Sequence, residues 1–341
     1  MQRGVPSFLL GLFCGVLAAA GVFAWLGQKK DTAHTGARVL KVAHGLPEYH
    51  PVHEALVEMA RLVETKSGGR MKLRLFPNEQ LGSQVQCLEQ AQVGTLAITK
   101  VSTGPVGTFV PVYQVFSLPY LFRDEDHFWR VLDGEIGQDL LQRIEKRGDG
   151  SPSGLHGLAY FDSGSRSFYS QREIRTPADL RGLKLRTMSD PVSMDTVSAL
   201  GASPTPIAFG ELYSALKSGA VDGAENNPPS VLANRHHEIC KYYLLNHHSR
   251  IPDVLVMSRS VWENLNADEQ RWITEAANEA GAFQRKAWQQ ETQKALDALR
   301  EAGVKITEAD TAAFAAATES VRRKHATGEI GEIAERIRSA E

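Results

Sequence analysis

The sequence predicts an α/β protein built as two similar halves, and three patterns predict it. From Arg38 to Ser102 the apolar residues switch between a period of two and a period near 3.6, strand then helix. After a Gly/Ser/Pro-rich break, RGDGSPSG at 147–154, the alternation starts again. Between Ala267 and Glu301 only Gly281 interrupts what reads as one long helix. Alternating strands and helices favour largely parallel sheets with helices on their faces.

Each element has its own signal. RVLKVAH from Arg38 reads as a strand, and Pro51 to Lys66 as a helix with Leu56, Met59 and Val63 on one face. Gly68 and Gly69 stop that helix, and Met71, Leu73 and Leu75 then alternate with Lys72 and Arg74 as in a half-buried strand. Val85, Leu88 and Ala91 mark a second helix, which leads through Gly94 to the strand TLAITKVS. In the second half LHGLAYFDS reads as the opening strand. Thr176 before Pro177 starts a helix that Gly182 stops, and LKLRTM follows as a strand. Asp190 before Pro191 repeats the device, with Val192, Val197 and Leu200 on a helix ending at Gly201. SPTPIAF, a short helix from Glu211 to Lys217 and the strand AVDGAEN come next. VLVMS reads as a return strand. The strand VKITE and one alanine-rich helix from Thr311 complete the chain.

Composition narrows the function. At 341 residues, 42% hydrophobic and 23% charged, the chain can bury one large core or two smaller ones. Its 38 basic and 40 acidic residues are dispersed, so no nucleic-acid partner is expected. Gly4 to Gly27 carries no charge and is flanked by Arg3 and by Lys29 and Lys30, so residues 1–30 read as an export signal or a membrane anchor. Small residues at Ala18–Gly21 and at Ala24 suit a signal peptidase and favour cleavage. Bulky Phe13 before Cys14 argues against a lipoprotein signal. Cys87 and Cys240 cannot build a disulfide framework, and each is expected as a small buried hydrophobe.

In open α/β sheets ligands sit beyond the carboxyl ends of the strands, so the residues after each strand matter most. Here they are HGLPEYHPVH, KVSTG, DSGSRS, RTMS and ENNPP. Arg186 stands at the end of LKLRTM, where a planar fork of donors matches a carboxylate. Arg166, in a serine-rich stretch, reads on its own as a solvated surface arginine. Asn226 and Asn227 before proline read either as a turn or as amide donors to a ligand. His44, His50 and His53, with the pairs His236–His237 and His247–His248, are weighed as metal ligands and set aside, because adjacent histidines point apart. G-x-S-x-G, a P-loop, G-x-G-x-x-G and H-E-x-x-H are all missing, so no catalytic residue, metal or cofactor is expected.

Five stretches in the same order carry a resemblance: PNEQLGSQVQCLEQAQVGTLAITKVS, FSLPYLFRDEDHFWRVLDGEIGQDLL, TPADLRGLKLRTM, LGASPTPIAFGELYSALKSGAVDGAENNPPS and NHHSRIPDVLVMS. Together the chain resembles the substrate-binding proteins of tripartite ATP-independent periplasmic (TRAP) transporters, from about Leu40 to the last helices. The resemblance implies a two-lobed periplasmic binding protein fold with a hinge, a long helix crossing both lobes and a cleft closing on an organic acid. It implies that Arg186 pairs with the ligand carboxylate and Arg166 makes a second contact, with Phe209 and Asn226 matching two further family positions. Ser102 stands near Lys100 where sialate-binding members carry a glutamate, and the first loop lacks their asparagine, which argues against sialate. The polar groups His44, His50, Lys100 and Asn227 suit a uronate, an aldonate or a small hydroxy acid, with a C4-dicarboxylate as the alternative. His248 completes the set of ligand-contact candidates.

The expected protein is therefore a periplasmic, monomeric solute-binding protein that hands an organic acid to membrane permease subunits. Its expected lobes are 38–163 plus 252–291 and 164–251 plus 292–341. The competing expectation is an exported two-lobed enzyme using His44 or His50 as a base.

Overall fold

Strands distribute themselves between two sheets because the chain crosses between them more than once. The computed structural model describes residues 36–341, so the leader read at 1–30 lies outside the described residues. The chain lays down β1 (Arg38–Ala43), β2 (Met71–Phe76), β3 (Ile98–Ser102) and β4 (Leu155–Phe161) in one sheet. It crosses to β5 (Arg166–Ser170), β6 (Lys184–Thr187), β7 (Ser203–Pro206), β8 (Gly223–Asn226) and β9 (Tyr242–Ser249) in the other. It returns for β10 (Asp253–Ser258) and adds β11 (Lys305–Glu308) to the second sheet. The orders are β2-β1-β3-β10-β4 and β11-β9-β5-β8-β6-β7.

The sheets are less uniformly parallel than the sequence predicts. β1 and β3 pair in parallel, as do β6 with β7 and β8, and β9 with β11. β10 runs against both β3 and β4, and β5 runs against both β8 and β9. The reversed strands are the two entered from the opposite sheet through a short link, whereas β11 arrives after the long helix and pairs in parallel. A parallel neighbour needs a long crossover, whereas a strand arriving through a short link can start at the near end and run away from it. The near end of β10 lies beside Ser102, the last residue of β3, and that of β5 lies beside Asn226, the last residue of β8. Both sheets therefore present the starts of reversed strands among the ends of parallel ones.

The helix expected from Ala267 to Glu301 forms over that span, opened by a capping box in which Asn266 and Glu269 satisfy each other's backbone N–H. It packs on the helix Pro51–Lys66 and on β4, and also on the helix Pro228–Ala233 that follows β8. Buried Gln284 on this helix accepts the Asp162 N–H at 2.7 Å and donates to the Asp162 carbonyl at 2.9 Å, holding the first crossing between the sheets. Cys87 and Cys240 are both free and buried.

Elsewhere the local signals need correcting. The helix read at Pro177 is a single tight 3-10 turn, Pro177–Leu180. The tail after Thr311 is three helices, Thr311–Ala317, Glu319–His325 and Gly328–Ser339. The last of them buries Ile333 and Ile337, four apart on one face, in a cluster with Phe128 and Leu140, two residues that precede β4. Arg123 donates to the Arg338 and Ala340 carbonyls, tying the same helix end to the first part of the chain. The end of the segment 292–341 thus packs against elements of the first sheet rather than staying with the second.

Candidate functional site

A narrow crevice with a cavity volume of about 40 Å³ opens where these strand ends meet. Lys100, Ser102 and Asp253 line it from the first sheet, and Arg166, Arg186 and Asn226 from the second. Phe209, Asn227 and His50 also line it; His44 and His248 do not.

Two of its three cations are already paired. Lys100 Nζ lies 2.7 Å from Asp253 Oδ2, with both side chains buried. Asp253 pairs in register with Ser102, two residues beyond Lys100, so the ion pair lies diagonally across the β3–β10 ladder. Arg166 and Glu225 repeat the device across β5 and β8, where Glu225 faces Phe168, two residues beyond Arg166. Arg166 Nε and Nη2 both donate to the Glu225 carboxylate, the second at 2.9 Å. Burial pushes the Glu225 carboxyl up, but the Arg166 guanidinium and His248 more than offset this and hold it at about 2. Arg166 is thus a buried strand residue, which overturns its reading as a solvated surface arginine.

Arg186 differs. It is 2% exposed, its Nε donates to the Ile207 carbonyl at 2.9 Å, and its guanidinium lies 5.5 Å from the centre of the Phe209 ring. Among the described residues no carboxylate reaches it within ion-pairing distance, and burial lowers its pKa where Glu225 raises that of Arg166. The protein therefore buries a guanidinium with backbone and ring for company, an arrangement that is costly until an anion arrives.

The amides divide the work. Asn226 Oδ1 accepts from Arg166 Nη1 at 3.0 Å and from the Asn227 N–H at 2.9 Å, which aims the rest of its amide at the crevice. Asn227 caps the helix Pro228–Ala233, accepting the Ser230 N–H at 2.9 Å while its Nδ2 donates to Ser163. Asn227 is thus a helix cap rather than a turn residue, and Asn226 is the amide held by Arg166 at the cavity wall. Ser102 Oγ is buried without a partner there.

The histidines are structural. His50 caps the helix Pro51–Lys66 through Nδ1, which accepts the Val52 N–H, and its other nitrogen meets Ser230 Oγ at 3.3 Å. His44 accepts the Leu46 N–H through Nδ1, and its Nε2 reaches His53 at 3.0 Å. Burial, reinforced by Lys100, pushes the His44 imidazole down to about 3 and that of His50 well below its usual value. Neither retains a nitrogen or the basicity for the general base of the competing enzyme. His248 stacks on Phe168 and lies 3.7 Å from Glu225, beneath the cavity rather than in it. Glu225 and Asp253 are the site residues that sequence reasoning missed, because apolar spacing does not say which strands run backwards.

The description of bacterial extracellular solute-binding protein, family 7, matches residues 42–329. The chain belongs to that family. It is 36% identical over 265 residues to a solute-binding protein of Chromohalobacter salexigens, covering 77% of each chain. Its fold matches a TRAP periplasmic solute-binding protein of Pseudomonas putida F1, solved with bound D-glucuronate, at TM-score 0.85 and 36% identity, covering 89% of this chain and 97% of that one. A TRAP periplasmic solute-binding protein of a Bradyrhizobium species, solved in complex with D-galacturonate, matches at TM-score 0.84 and 37% identity, covering 89% and 100%. The protein is a solute-binding component of a transport system and not an enzyme. Among the described residues no helix is long and apolar enough to cross a membrane.

Proposed function

We propose that this protein captures a sugar acid of the hexuronate type outside the cytoplasm and delivers it to a TRAP-type membrane permease. The observation that carries this reading is Arg186, a buried guanidinium facing the crevice without a carboxylate of its own. A ligand carboxylate takes the two terminal nitrogens of the fork while Phe209 packs beneath it. Ser102 Oγ and the Asn226 amide, with the oxygens of Asp253, offer the mixed donors and acceptors that sugar hydroxyls need. The solved relatives bind D-glucuronate and D-galacturonate, acids of this size and pattern.

Groups from both sheets line the crevice, so a ligand touching all of them favours the arrangement that brings the halves together. That differential contact is the signal a membrane partner reads. Titration calorimetry with D-glucuronate and D-galacturonate tests the reading. Truncating one member of a buried charge pair costs about 2–5 kcal/mol, so Arg186→Ala weakens binding by roughly 30-fold or more. Unchanged affinity in that variant rules out Arg186 as the anchor.

A further inference from the structure

Four charged side chains line the crevice, Lys100, Arg166 and Arg186 against Asp253, and Glu225 stands behind them as the buried partner of Arg166. The sum is one positive charge. His50 adds nothing, because burial keeps its imidazole neutral. Glu79 stands behind the wall, where its carboxylate accepts the Gly210 N–H, and it makes the surroundings no more welcoming to a second anion. One carboxylate on Arg186 therefore leaves the lining neutral. A second would enter a dry site with no cation left to meet it.

Asp253 makes the difference. Lys100 is a cation buried in the first sheet's wall, opposite the sheet that carries Arg186, and it would hold a second carboxylate if it were not already paired. Asp253 sits 2.7 Å from it and exposes its own oxygens to the same crevice. The far end of a ligand anchored on Arg186 meets a neutral ion pair with acceptor oxygens, which suits hydroxyl groups and repels a carboxylate. We propose that Asp253 is a specificity-determining residue: by masking Lys100 it restricts the site to acids with one carboxylate and excludes the matching dicarboxylates. This inference rests on the sugar-acid reading and names which acids that reading admits.

The probes are D-galacturonate and galactarate, which share a carbon skeleton and differ in that galactarate carries a carboxylate at both ends. Calorimetry at pH 7 on the wild-type protein should give a Kd for galacturonate at least tenfold below that for galactarate. Asp253→Asn, which frees Lys100 while keeping the shape, should shrink or invert that ratio by at least tenfold. Lys100→Gln combined with Asp253→Asn removes both charges and leaves the sum unchanged, so the ratio should stay within about threefold of wild type even as both affinities fall. The double variant and the wild type carry the test should Asp253→Asn fail to fold. Equal affinity of the wild type for both acids overturns the role of Asp253 while leaving the sugar-acid reading standing, and so does loss of selectivity in the double variant. Binding of neither acid overturns both.

Discussion

The two buried arginines do opposite things with the same side chain. Arg166 is held by a carboxylate the protein supplies, whereas Arg186 has the Ile207 carbonyl as its partner and is the proposed anchor for a ligand carboxylate. Arg166 is therefore worth more to stability than to binding. Because Arg166 holds Glu225 at about 2, below its unfolded value of 4.5, the pair stabilises the fold above pH 4.5 and loses that contribution as pH falls toward 2. The shift corresponds to about 3 kcal/mol at 1.36 kcal/mol per pH unit. Urea melts at pH 5 and pH 2.5 should show Glu225→Gln losing about 2 kcal/mol less than wild type between the two, since the carboxyl is still partly ionised at pH 2.5. Equal losses in both proteins would mean that the pair does not carry the acid sensitivity. Arg186 and Asn226 could be read in the sequence because each stands near the end of a parallel strand, where ligands are expected. Asp253 could not, because it opens a strand and a search of strand ends passes over it. Glu225 was hidden inside a strand whose antiparallel partner was not foreseen.

At the scale of elements, the turn after β2 reaches across to the second half of the molecule. Glu79, in the left-handed region at φ 55°, accepts the Gly210 N–H at 3.1 Å, beside the Phe209 that packs against Arg186. Gly210 leaves room for that approach: a Cβ there would come within 2.7 Å of the Glu79 carboxylate. This contact joins the turn after β2 to the segment that seats Phe209 against Arg186, and on the proposed closure it forms as the halves meet. Losing one hydrogen bond across the cleft costs about 1 kcal/mol, so Glu79→Ala should weaken galacturonate binding about fivefold, mostly through faster release in stopped flow. Burial raises the Glu79 pKa when the halves meet, with the Gly210 N–H and Arg186 opposing the rise. The closed form then holds the proton more tightly than a form in which Glu79 is solvated, so falling pH favours closure. Affinity measured from pH 7 to pH 5 should rise more in wild type than in Glu79→Gln, and parallel profiles would show that Glu79 does not titrate with closure. Helix and strand bounds such as Pro51–Lys66 and Ala267–Glu301 were legible because apolar spacing and caps coincide there. β9 was not, since nearly every residue of it is buried and it loses the alternation that marks a half-buried strand.

For the molecule as a whole, the two sheets meet through short links, and the first of these is not loose. Asp162 follows β4 directly, and Gln284 on the long helix satisfies both its N–H and its carbonyl in a fully buried setting. The link is thereby pinned to an element that packs on parts of both halves. Gln284→Ala strands two buried backbone groups, each costing about 1–3 kcal/mol, and it removes no side chain that lines the crevice. The expected result is a clear drop in the urea midpoint with the galacturonate-to-galactarate affinity ratio unchanged. Selectivity is assigned to the charges on the walls and the pin to stability, so the two readouts should separate. A Gln284→Ala protein that kept its stability would show the link to be held elsewhere. One that lost its selectivity would show that wall charge and pin are coupled, and the separation of roles argued here would fail.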